Sequence, residues 1–124
     1  MAALALGDDL AARLAIAGGF DVYSGQDNTG TLNTLAAAFI ASRMLGLTKA
    51  QARHATGIAV NQAAGNVAAI FDGANSFKLP MAFAARSGIA AAQLAKAGLE
   101  SAADPLTGKH GYFQLFGIDA QPEL

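Results

Sequence analysis

The sequence predicts an all-α fold, and three observations carry that prediction. By composition, 31 of the 124 residues are Ala, the best helix former and a residue depleted in strands. Apolar residues recur at three- and four-residue spacing in four long segments, as one face of a helix requires. No run of alternating apolar and polar residues is long enough to read as a strand.

The first segment covers residues 2–17. Leu6, Leu10, Leu14 and Ala17 fall on one stripe, and Asp9 and Arg13 sit one turn apart as a favourable exposed pair. Gly18-Gly19 stops the helix. Residues 20–30, from Phe20 on, read as a turn-rich loop. A second helix is expected over 31–45, with Asn28 or Thr29 as N-cap. Leu35, Phe39, Ser42 and Leu45 give one face and Ala36, Ala37 and Ala41 the other, so this helix should be buried on two sides.

Gly46 ends that helix, and Thr48 caps a third over residues 49–64, with Gln51 as its capping-box partner. Ala52, Ala55, Ala59 and Ala63 line one side, where small residues let two backbones approach. Residues 65–78 read as a short helical piece and a polar turn. Pro80 opens a fourth long helix over 81–97, with Gly98 as its C-cap. The tail, 99–124, should hold one or two short helices, broken up by Gly108, Gly111, Gly117 and Pro122 and anchored by Tyr112, Phe113, Leu115 and Phe116. Antiparallel neighbours joined by short loops complete the expected bundle.

Charge and composition exclude several functions. Charged residues make up 14% of the chain, against roughly 25% in ordinary soluble domains. The net charge of −1 offers no basic footprint for nucleic acid. Mean hydropathy is +0.34, yet the longest apolar run, residues 35–41, is far short of the roughly 18–20 residues of a membrane span. The absence of Cys removes thiolate and Cys-based metal chemistry and fits a cytoplasmic protein. Asp8-Asp9 interrupts the first apolar run, which argues against a signal peptide. So much apolar surface with so little charge suggests burial against a partner or a second copy.

Candidate chemistry is sparse. His54 reads as a surface or interface histidine within a helix. His110, in GKHG, reads as a solvated loop residue with ligand binding as the alternative. Neither has a carboxylate at metal spacing, so no metal site is expected. Phosphate-loop and nucleophile-elbow motifs are missing. Asp8-Asp9 reads as a solvated helix face. Two segments stand out. SGQDNTGT, residues 24–31, precedes an apolar helix whose free N–H groups and positive dipole end suit a carboxylate; the plainer reading is an N-capping loop. In FDGANSFKLP, Lys78 sits where a polar turn meets a helix. It could pair with a substrate carboxylate or move a proton, or it could be a snorkelling surface lysine.

These two segments also carry a resemblance. TGTLNTLAAAFIASRMLGLTKAQARHATGIAVNQAAG and FDGANSFKLPMAFAARSGIAAAQLAKAGLESAADPLTGKHGYF resemble the helical domain of the 2-methylcitrate dehydratase (MmgE/PrpD) family. The ordered set is Thr-Gly-Thr opening an Ala-rich helix, Leu-Gly-Leu with a capping Thr, Gln-Ala-Ala-Gly, a Lys before an AARSG-type helix, and a Gly-Tyr-Phe turn. It spans about residues 5–116. The resemblance implies a cofactor-independent lyase, decarboxylase or isomerase acting on small di- and tricarboxylates, with an all-α domain, a smaller lid domain and a homodimeric state. It implies a carboxylate-binding surface at Thr29, Gly30, Thr31 and Lys78, with Lys78 as carboxylate binder or proton-transfer group. Family members often carry His-Pro before Thr-Gly-Thr, with that His in the active site. Here Asp27-Asn28 stands there, so Asp27 replaces the expected His and would repel a carboxylate unless protonated. Family enzymes are several times longer. Residues 1–124 therefore read as one all-α domain, part of the family's helical domain without the lid, and inactive alone. The alternative is a stand-alone helical oligomerisation module derived from such an enzyme.

Overall fold

The structure is a computed structural model and describes residues 1–19, 21–117, 119–121 and 123. Phe20 and Pro122, which bounded the expected loop and broke up the expected tail, lie outside the described residues. Among those described there are six α-helices: α1 (Ala2–Gly18), α2 (Asn28–Met44), α3 (Lys49–Val60), α4 (Ala68–Phe71), α5 (Leu79–Lys96) and α6 (Tyr112–Phe116). Short 3-10 turns cover Val22–Ser24 and Asn75–Lys78. The only β-type pairing among the described residues is an isolated antiparallel bridge between Gln26 and Asn66. The all-α expectation holds.

Helix α2 is central and packs against α1, α3 and α5. Its burial on two sides follows the sequence reading, with Leu35, Ala36, Ala41 and Ser42 buried and Ala37, Phe39 and Leu45 half-buried. Two apolar clusters flank it. One is built almost wholly of small residues: Ala38 and Ala41 from α2, Ala55, Ile58 and Ala59 from α3, and Ala91, Ala92 and Ala95 from α5. The other joins Leu14 and Ala17 of α1 to Leu32, Leu35 and Val60, closed by Tyr112 and Phe113 of α6. A fully buried leucine such as Leu35 contributes about 1.5–3 kcal/mol. The Ala cluster gains less per residue and depends on close backbone approach. Gly88 shows how close: a Cβ there would stand 2.5 Å from the Ala37 Cβ and 2.6 Å from the Ala38 nitrogen.

Local signals mostly give the helix ends. Thr48 and Gln51 form the complete capping box. Asp9 and Arg13 pair at 2.8 Å. Three boundaries move. Helix α2 starts at Asn28 rather than at residue 31, because Asp27 takes the cap position, one or two residues before the expected Asn28 or Thr29 cap. Helix α3 ends at Val60 rather than at 64; Asn61 is its C-cap, and the chain then turns so that the Gly65 carbonyl reaches the Asp27 N–H. Helix α5 begins at Leu79, with Pro80 inside its first turn and Ala97 as C-cap in place of Gly98.

Two anchors are also displaced. Leu6 is exposed, because α1 meets α2 through Gly7, which lies against the Ile40 side chain. Leu115 is exposed on the outer side of α6, while Tyr112 and Phe113 are buried.

Candidate functional site

Three segments build the head of α2. Residues 25–27 run beside residues 65–67: Asp27 N–H donates to the Gly65 carbonyl at 3.2 Å, and Val67 N–H donates to the Gly25 carbonyl at 3.2 Å. This pairing lays the 65–71 segment over the first turn of α2. The approach is close enough that a Cβ on Gly30 would overlap the Ala64 carbonyl oxygen, so only glycine fits there.

Asp27 is the N-cap. Its Oδ1 accepts from the Thr29 N–H at 2.9 Å and from the Thr29 hydroxyl. Its carbonyl accepts the N–H groups of Gly30 and Thr31. Asp27 is 4% exposed. The negative group that a helix N-terminus attracts is therefore supplied by the chain itself.

A cleft of about 270 Å³ opens beside this cap. Asp27, Asn28, Thr29 and Asn33 line one wall, and Val67 and Ile70 lie among its apolar lining. No Lys, Arg or His lines it. A second cleft of about 140 Å³, between α2 and the start of α5, is lined by Gly30, Thr34, Gly65, Pro80, Phe83 and Ser87.

The candidate residues fall into separate places. Asp27 and Thr29 share the first cleft, and Gly30 faces the second. Thr31 is 1% exposed and lines neither. Its hydroxyl lies 3.5 Å from the Asp27 carbonyl and 3.4 Å from Asn28 Oδ1. Burial pushes the Tyr112 phenol up in pKa, with Thr31 working against that shift. Lys78 ends the 3-10 turn before α5. It is exposed, with its ammonium 5.7 Å from the Phe77 ring centre, and it lines neither cleft.

Sequence reasoning missed Asn33, Val67 and Ile70. Asn33 had a usable signal, lying four residues after Thr29 and so on the same helix face. Val67 and Ile70 arrive through the long-range pairing with residues 25–27, which leaves no local mark.

The two histidines stay apart. His54 Nδ1 accepts from the Ser101 N–H at 3.0 Å, tying α3 to the following loop. His110 lines a cleft of about 280 Å³ with Asn61, Asp104 and Lys109. Asp104 is held below the usual carboxylate range, first by the Thr107 hydroxyl and then by the Thr107 N–H. No group of three potential metal ligands occurs among the described residues. No described helix is long and apolar enough to cross a membrane.

The architecture defines an all-helical domain organised around one central Ala-rich helix. Compared with known families, residues 1–124 match the MmgE/PrpD N-terminal domain, and the chain belongs to that family. No curated protein matches the chain.

Proposed function

We propose that this chain is the helical-domain portion of a cofactor-independent lyase or isomerase of the MmgE/PrpD type, acting on small di- or tricarboxylates. The observation that carries this reading is the family match along residues 1–124. In the full enzyme the reaction would be proton abstraction beside a carboxylate, with loss of water or CO2 or with epimerisation.

Lys78 is the candidate carboxylate binder or proton-transfer group. Its exposed ammonium at the entry to α5 supports that role. Asp27, in place of the family His, with Thr29, Gly30 and Thr31 forms the second part of the proposed binding surface. Of these, Thr29 and Gly30 reach a cleft, while Thr31 acts from below by holding the turn.

Residues 1–124 act as one all-α unit that is inactive by itself. A coupled assay should find no turnover of 2-methylcitrate or cis-aconitate. Turnover that Lys78→Ala abolishes would overturn the inactivity and keep the Lys78 role. Amide NMR should show cis-aconitate perturbing residues 75–80 in the wild type and not in Lys78→Ala. No perturbation in either protein would remove Lys78 from the site.

A homodimer in the cytoplasm completes the proposal. The second reading, a stand-alone oligomerisation module, is favoured by one observation: Leu79, Met81, Phe83, Ile89 and Leu94 of α5 are all exposed, a concentration of apolar side chains that a partner would cover. A monomer by light scattering at micromolar concentration would sink both the dimer and the module.

A further inference from the structure

We propose that His54 is a pH-sensitive latch on the strap that joins α5 to α6, residues 97–111. With a neutral imidazole it pins residues 100–104 to α3. With a protonated one it lets them lift away and widens the cleft beneath them.

The geometry fixes which state of His54 holds the strap. Its Nδ1 accepts from the Ser101 N–H at 3.0 Å. A ring nitrogen accepts only when it carries no proton, so the latched imidazole is neutral with its hydrogen on Nε2. A further proton has one place to go, Nδ1. One N–H would then face another, and a hydrogen bond would become a clash of two donors.

Little else holds this stretch. Among the described residues, two hydrogen bonds tie residues 100–104 to another element, and both come from neighbouring residues of α3. One is the His54 bond. The other runs from the exposed Arg53 guanidinium to the Ala103 carbonyl at 3.4 Å. On either side the chain is held without His54. The Gly98 and Leu99 N–H groups donate back to α5, and the Tyr112 and Phe113 N–H groups donate to the Pro105 and Leu106 carbonyls at 2.9 and 3.1 Å. Release therefore frees a short stretch between two fixed ends.

That stretch is also one wall of the cleft of about 280 Å³. Gly57, Val60 and Asn61 of α3 line one side, and Ala102, Asp104 and His110 line the other. The strap crosses α3 at a residue with no side chain: a Cβ on Gly57 would overlap the Ser101 side chain and stand 3.1 Å from the Pro105 Cβ. Ser101 rests on bare backbone there, so lifting it unpacks no large apolar side chain.

The surrounding charges give protonated His54 no partner. On α3 they are Lys49 and Arg53, and on the last turn of α2, Arg43. On α5, Lys96 donates to the Leu45 carbonyl at 3.1 Å. The strap adds Glu100, Lys109, His110 and Asp104, the last engaged with Thr107. Among the described residues no carboxylate pairs with His54; the ion pair found is Asp9 with Arg13. Protonation costs the Ser101 bond and gains no ion pair in exchange.

The experiment follows the Ser101 amide by NMR as the chain is acidified from about pH 8 to about pH 5, the range in which imidazoles change charge. The chain has two histidines, so a His110→Gln background leaves His54 as the single imidazole. Its ring nitrogens should report the Nε2–H tautomer at the alkaline end. The Ser101 resonance should then move with the His54 midpoint, and its protection from exchange should fall by about fivefold or more, as for one lost hydrogen bond. Asp104 is held below the usual carboxylate range, so its own titration falls at lower pH and is read apart. His54→Asn places a carbonyl oxygen that does not titrate where Nδ1 stands, and it should keep Ser101 protected throughout. His54→Ala should show the released state at every pH. An Nδ1–H tautomer at the alkaline end, or a Ser101 amide that ignores the His54 titration, would overturn the proposal. So would an acid response that survives in His54→Asn. The first two outcomes need no substitution at His54, so a variant that folds poorly does not decide the test.

Discussion

Gly88 of α5 and Ala37 of α2 meet with no room for another atom. A Cβ on Gly88 would come within 2.5 Å of the Ala37 Cβ and 2.8 Å of the Ala37 carbonyl carbon. The neighbours are backbone and a methyl group, neither of which can rotate away. Gly88→Ala gains up to about 1 kcal/mol of helix propensity, but overpacking here should cost about 1–3 kcal/mol. Urea unfolding should therefore show a net loss. A variant more stable than the wild type would mean that α2 and α5 are not in this close contact.

The Asp27 cap makes a second prediction. Asp27→Ala removes the acceptor of the Thr29 N–H and hydroxyl. The loss should be about 0.5–2 kcal/mol, as for other capping residues. Asp27→Asn should stay within a few tenths of a kcal/mol of the wild type, because it can accept the same N–H. Equal stability of the Ala variant in chemical denaturation would show that the cap contributes nothing.

Helix identity and most helix ends were legible in the sequence because they depend on local chemistry. Thr48 and Gln51 cap α3 through contacts three residues apart. The Ala55 and Ala59 stripe needs only helical spacing to be found, and both are fully buried. The start of α2 was misread by one turn because Asp27, Asn28 and Thr29 are all competent caps. What selects Asp27 is the pairing of its N–H with Gly65, nearly 40 residues on.

The candidate site was legible only in part for the same reason. Thr29 and Asp27 lie together in the sequence and in the cleft. Val67 and Ile70 reach that cleft through tertiary pairing. Lys78, close to these residues only through the family resemblance, sits on another element.

Acid should loosen the loop after α5. The Asp104 carboxylate accepts from the Thr107 hydroxyl at 2.6 Å and from the Thr107 N–H at 3.0 Å, and these bonds lower its pKa. A lowered folded value means that the contribution is present above the ordinary aspartate value and is lost as pH falls through the folded value. NMR titration should find the Asp104 carboxyl midpoint below that of a free aspartate, and Thr107→Val should raise it. The stability gap between wild type and Thr107→Val should close as the solution is acidified. A normal midpoint in the wild type would remove the loop's acid sensitivity.

Alkali should act close by, through Tyr112, whose N–H donates to the Pro105 carbonyl at 2.9 Å. This side chain is 2% exposed and packs edge-on to Phe113 at 5.5 Å between ring centres. Burial disfavours the phenolate and pushes the pKa up; the Thr31 side chain pulls the other way. With the folded value raised, the contribution is complete below the unfolded value and is lost as pH rises through the folded one. The chain has two tyrosines, so a Tyr23→Phe background leaves Tyr112 as the single phenol. Its absorbance should then titrate above the range of free tyrosine. Thr31→Val should move it higher still, because the opposing hydroxyl is gone. Tyr112→Phe should flatten the alkaline loss of stability. A Tyr112 that ionises with free tyrosine would mean that α6 does not seal the second cluster as described.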